Sequence, residues 1–146
     1  MPRTHKYLKQ NEWYEMKGFN KIGDNTFPNL MAILTGLNKT VIDETCNWKN
    51  VGELEKCQFL WDDYNNANYA TAYAEDAMKI STFNYYETGF IQQPTDYYLR
   101  PFALAAEEKL KASFENTWNT KCVGYQHYAD YVYQYALDFA VKYKND

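Results

Sequence analysis

The order of elements predicts an α/β layer protein, and three observations carry that reading. An aromatic run at residues 13 to 19 and an alternating run at residues 69 to 76 read as strands, with helical patterns between and after them. Strand, helix, helix, strand, helix is the succession that lays helices against a sheet. Only two strands are convincing, whereas a parallel sheet with helices on both faces usually needs more. The chain therefore reads as a helix-rich part of an α/β protein, with few strands of its own.

Residues 3 to 11 read as a short helix, WYEMKGF (13 to 19) as a strand, and Gly23-Asp24-Asn25 as a turn. Asp24 and Asn25 suit an Asx-turn ahead of the next element. A helix is expected from Pro28 to Thr35, with proline early and Gly36 as its stop. Residues 38 to 52 leave a short helix and a loop open. CQFLWDDYNN, residues 57 to 66, places Phe59, Leu60 and Tyr64 as an amphipathic helix would. YATAYAED, residues 69 to 76, alternates as a strand and ends in Glu75 and Asp76. Residues 80 to 88 read as a short helix closed by Gly89. PTDYYLRPFALAAEEKL, residues 94 to 110, reads as a helical region entered through Pro94-Thr95. The last helix is expected from about Tyr125 to Lys144, with Tyr128, Tyr131, Val132, Tyr135, Leu137, Phe139 and Val141 on a broad apolar face.

Composition bounds the function. Apolar residues make up 46% and charged residues 23%, which is globular rather than disordered. The net charge of −4 comes without a basic stripe, which argues against nucleic acid as a partner. Aromatics reach 18%, which suits packed or interfacial surfaces and selects no chemistry. No apolar run is long enough for a membrane span, and MPRTHKYLKQ lacks the apolar core of a signal peptide. Against a cytoplasmic reading stands Asn38-Lys39-Thr40, an N-glycosylation sequon that has meaning only in a secretory compartment. Three cysteines, Cys46, Cys57 and Cys122, leave one over if two pair, as expected of a piece of something longer; three free thiols are the alternative.

The stretch GDNTFPNLMAILTG, residues 23 to 36, raises the question of chemistry. Thr26 stands where a helix begins, and a threonine there ordinarily caps. The same place exposes unpaired backbone N–H groups and the positive end of the macrodipole, which would stabilise an oxyanion. A hydroxyl held there beside a metal ion can act as a nucleophile. Glu75 and Asp76 follow the second strand, at the strand end where α/β sheets place their sites. Orienting substrate or binding metal is one reading of them, and a solvated pair capping the next helix is the other. Arg100, near Tyr97 and Tyr98, offers a bidentate fork for phosphate or sulfate, or serves as a buried structural arginine. His5 and His127 belong to no ligand-like cluster.

TFPNLMAILTG, through Thr26, Phe27, Pro28, Asn29, Thr35 and Gly36, resembles the nucleophile segment of the alkaline phosphatase superfamily, notably of nucleotide pyrophosphatase/phosphodiesterases. GFNKIGDNTFPNLMAILTG, FLWDDYNNANYATAYAED, TFNYYETGF and QPTDYYLRPF are similar to blocks of an animal family of sulfatase- and phosphatase-like proteins known as a domain of unknown function. Asn68 departs from it, since relatives usually carry glycine before the tyrosine of this strand. The resemblance covers nearly all of the chain and implies a partial three-layer α/β/α sandwich, with residues 1 to 146 as an N-proximal part truncated at both ends.

The same resemblance implies a chemistry. Thr26 would be the nucleophile and a metal ligand, with Asn29, Glu75 and Arg100 on the substrate, a small phosphate or sulfate ester. A divalent metal, zinc for choice, would serve the intact parent. Its other ligands are an upstream aspartate and a later Asp-His-Gly, both absent here, so tight metal binding and turnover are not expected of this chain alone. Threonine cannot become formylglycine, which favours phosphate or phosphodiester. In a secreted parent Cys46 would pair with Cys57, Cys122 would pair elsewhere, and Asn38 would be glycosylated. A non-catalytic binding module that retains the fold is the rival reading, for which the aromatic surface is suited.

Overall fold

The computed structural model describes residues 2–46, 48–76, 81–84, 89–110 and 122–144. Among them the fold is helix-rich with few, short strands, a partial α/β arrangement. The elements in order are α1 (Pro2–Gln10), α2 (Thr26–Thr35), α3 (Lys39–Thr45), a 3-10 turn (Leu54–Lys56), α4 (Leu60–Asn66), β1 (Ala72–Tyr73), β2 (Tyr97–Tyr98), α5 (Arg100–Leu110), β3 (Cys122–Val123), β4 (Gln126–His127) and α6 (Tyr128–Lys142).

The expected strand at residues 13 to 19 does not form. Trp13 is 63% exposed and Tyr14 99%, and the segment turns back on itself through Phe19 N–H donating to Met16 O. Alternation puts Glu15 and Lys17 on the face of Trp13 and Phe19, while Tyr14, Met16 and Gly18 on the other face stand exposed, and no strand among the described residues pairs with the segment.

α2 begins at Thr26, two residues before the expected start at Pro28. Asn25 occupies the cap position in extended backbone, and Thr26 is the first helical residue; the expectation that Thr26 caps is overturned. Pro28 still lies in the first turn, where N–H groups have no intrahelical acceptor. At the far end Gly36 adopts φ 70°, and its N–H reaches Ala32 O. Thr35 Oγ1 donates to Met31 O at 2.7 Å and accepts from Leu37 N at 3.2 Å, so the Thr-Gly pair ends the helix as the sequence predicts.

β1 and β2 are parallel, with Ala72 opposite Tyr97 and Tyr73 opposite Tyr98. The expected strand over 69 to 76 shrinks to β1. The region read as helical from residue 94 contains β2 before α5 begins at Arg100. Of the helix expected over 80 to 88, residues 81–84 form a turn and the others lie outside the described residues. The last helix is preceded by a hairpin, β3 antiparallel to β4, whose turn uses Gly124 at φ 62°. α6 buries Tyr128 and partly buries Tyr131, Val132, Tyr135 and Phe139, at helical spacing. Leu137 (61% exposed) and Val141 (76%) fall off that stripe, contrary to expectation.

Two apolar clusters hold these pieces. The larger joins Met31 of α2, Ile42 of α3, Leu54, Phe59 and Phe83, with Phe27, Trp61 and Tyr73 against it. Burying each large side chain contributes about 1.5–3 kcal/mol. The rings of Phe59 and Trp61 stack at 4.4 Å, and Phe83 meets Phe59 edge-on at 5.9 Å. Cys46 and Cys57 lie inside this cluster, joined to each other, with Cα atoms 5.4 Å apart. The smaller cluster packs Ala103 and Ala106 of α5 against Val123 and Tyr128. Among the described residues no helix is long and apolar enough to cross a membrane.

Candidate functional site

The loop before α2 is fastened by one side chain. Asn29 Oδ1 accepts from Ile22 N at 2.8 Å and from Gly23 N at 3.4 Å, while Nδ2 donates to Gly23 O at 2.8 Å and to Asn25 O at 2.6 Å. Asn25 makes no side-chain cap bond, and Asp24 is paired with Lys21 instead, so the expected Asx-turn is replaced by this clasp. Thr26 emerges from the clasped loop exposed, at the start of a ten-residue helix, and among the described residues its hydroxyl has no hydrogen-bond partner. The neighbouring Phe27 anchors the turn against Trp48 at 5.1 Å and Phe83 at 5.9 Å.

Phe83 leads to the second part of the site. Thr82 N donates to Glu75 Oε1 at 2.8 Å, so the carboxylate after β1 holds the 81–84 turn against which Phe27 packs. The connection from Thr26 to Glu75 is thus indirect, through Phe27, Phe83 and Thr82. Asp76 beside it is exposed.

Arg100 opens α5 two residues beyond Tyr98 and Glu75 lies two beyond Tyr73, so both charges follow the carboxyl ends of the paired strands. The Tyr73 and Tyr98 rings stack between the strands at 5.9 Å. Burial pushes the Tyr98 phenol up; Arg100 opposes the shift and Glu75 adds to it. Burial, and then the Glu75 charge, also push Tyr73 up, and its hydroxyl makes no hydrogen bond of normal geometry. Tyr128 is 2% exposed and pushed up to about 12 by burial and then by Asp76, with Arg100 opposing and Glu107 adding. Glu75 thus acts on Tyr73 and Tyr98, Asp76 on Tyr128 at the start of α6, and Arg100 on both Tyr98 and Tyr128.

Sequence reasoning missed the polar lock at the opposite strand ends. Asp96 Oδ2 accepts from Thr71 N at 2.9 Å and Thr71 Oγ1 at 2.8 Å, and Asn65 Nδ2 reaches both carboxylate oxygens at 3.1 Å. The Thr71 N–H, then its hydroxyl, then Asn65 hold the Asp96 carboxyl below the usual range. Nothing local marks this set, because its members lie 25 and 31 residues apart.

No three His, Cys, Asp or Glu side chains among the described residues stand together as a metal-binding group. His127 accepts from Ala129 N as the cap of α6, and His5 lies exposed on α1. A zinc site needs about four ligands. Thr26 with a carboxylate does not make one, so the described residues do not fit the metal that the nucleophile segment implies.

The sequence profile of the family described as "Protein of unknown function (DUF229)" matches residues 1–146, the full length of the chain. The chain belongs to this family. No curated protein and no solved structure matches it.

Proposed function

We propose that this chain supplies the nucleophile turn of a phosphate or sulfate ester hydrolase domain, with phosphate or phosphodiester favoured. The observation that carries the reading is Thr26, a hydroxyl exposed at the first position of α2 and without a hydrogen-bond partner among the described residues, in a loop held by all four bonds of Asn29. Thr26 Oγ attacks the phosphorus, the Oγ–P bond forms, and the ester P–O bond breaks with the alcohol leaving protonated. Water then cleaves the Oγ–P bond. First-turn N–H groups of α2 face charge that develops on the phosphoryl oxygens. Asn29 is a positioning residue, since its amide is committed to the loop. Glu75 orients the 81–84 turn, and Arg100 is assigned to the substrate oxygens.

The metal ions implied by the nucleophile segment would draw their ligands from outside the described residues. The parent domain is placed in the secretory pathway, a reading supported by the Cys46–Cys57 pair and the Asn38 sequon. The rival, a binding module that keeps the fold, is favoured by Trp13 and Tyr14 standing exposed on an irregular segment.

Phosphodiester turnover by the intact protein in zinc decides between them. Thr26→Ala should lower kcat by about 10⁴-fold or more with an unchanged unfolding midpoint. Equal rates for the variant and the native protein would remove the nucleophile assignment. Residues 1–146 alone should show no turnover.

A further inference from the structure

We infer that Asn38 carries an N-linked glycan on one amide atom while the other caps α3. This rests on the secretory placement proposed above. Asn38, Lys39 and Thr40 are all exposed, and Asn38 is extended at φ −79°, ψ 164°. Its Oδ1 accepts from Val41 N at 3.1 Å, which satisfies one of the unpaired donors at the start of α3. Nδ2 has no partner among the described residues.

The division matters chemically. Transfer from a polyprenyl-diphosphate oligosaccharide forms a sugar C1–Nδ2 bond and breaks the C1–O bond to the diphosphate. One Nδ2 proton leaves with that group. Oδ1 remains an amide carbonyl, so the acceptor that caps α3 is the same before and after modification. An unbonded Nδ2 means that no existing contact is lost.

The placement also spares the site. Asn38 follows the Gly36 stop of α2, and Thr26 opens that helix; ten residues separate the two ends by about 15 Å. A glycan here stands at the end of α2 away from the threonine. It also marks the α2–α3 corner as solvent-facing in the mature protein.

The test is the 146-residue chain secreted from cultured animal cells behind a cleavable leader. Its mass is measured before and after enzymatic release of N-glycans. The expected result is one glycan, located on the peptide containing Asn38 and absent in Thr40→Ala. Asn38→Ala should lose the glycan and the cap together, unfolding roughly 3 °C below Thr40→Ala. A secreted chain bare at Asn38 overturns the glycan. Equal midpoints for the two variants overturn the shared amide. The thiol state of Cys46 and Cys57 in the naturally expressed protein reports on secretory placement separately, and Thr26→Ala turnover of the intact protein reports on the hydrolase reading.

Discussion

Asn29 commits its whole side-chain amide to the backbone of residues 22 to 25, and this explains why Thr26 stands at a fixed place without capping anything. Asn29→Ala leaves two N–H donors and two carbonyls of the loop without their partner. Each lost bond is worth about 1 kcal/mol where water cannot replace it, and the loop is largely exposed. A loss of about 1–2 kcal/mol in urea unfolding is expected. In the intact protein kcat should fall while KM moves little, because the residue acts through the position of Thr26. A fall in KM alone would contradict the positioning role. A second residue-scale expectation concerns Tyr97. Lys142 Nζ donates to its hydroxyl at 2.7 Å and lies 4.8 Å from its ring centroid, which favours the phenolate and lowers the Tyr97 pKa; the Tyr143 hydroxyl bond acts in the same direction. The tyrosinate absorbance difference between the native chain and Tyr97→Phe should rise below the usual tyrosine range. Lys142→Met should move that rise upward.

At the scale of elements, β1 and β2 are two residues each, too short to hold by ladder bonds alone. The Asp96–Thr71 lock makes up the difference, and it carries a pH signature. Asp96 has a folded pKa below its unfolded value, so its contribution is present above the unfolded aspartate pKa of about 4 and is lost as pH falls through the folded pKa. Acid unfolding should be shallower in Asp96→Asn: the native chain's advantage is constant above pH about 4 and shrinks to nothing as pH falls through the folded pKa. Asp96 is exposed, so solvent screening holds its stabilisation near 1 kcal/mol. Curves that stay parallel across that range would show that the carboxylate does not stabilise the strand pair. These strands also mark where sequence reading stops. α2 was legible because proline and glycine punctuate it, and α6 because its stripe repeats at helical spacing. β2 was hidden, since Tyr97 and Tyr98 lie in a segment whose continuation is helical, and the partner that makes them a strand is 25 residues away. The strand read at residues 13 to 19 failed for want of a partner: aromatic content suggested pairing, while Trp13, Tyr14 and Met16 stand exposed and no strand among the described residues lies beside them.

At the scale of the whole molecule, the turn that bears Thr26 depends on a core that is small and stapled. Phe27, adjacent to Thr26, packs on Trp48 and Phe83, and the same cluster encloses Cys46 (0% exposed) and Cys57 (3%). The pair closes a loop with a sequence separation of 11 that contains Trp48. Loop-closure entropy for a ring of this size is worth about 3 kcal/mol, a large share of the stability of a domain this size. Reductant should therefore lower the unfolding midpoint of the native chain by several degrees, and Cys46→Ala/Cys57→Ala should start low and ignore reductant. Because Cys46 ends α3 while Cys57 precedes Phe59, the released loop frees Trp48 from Phe27, and the turn bearing Thr26 loses one wall. Amide exchange at Thr26 and Phe27 should then rise by more than it does at Tyr131 and Val132, which pack in the separate α5–α6 cluster. Equal acceleration in both clusters would mean that the molecule opens as one unit and that the staple has no local hold on the turn.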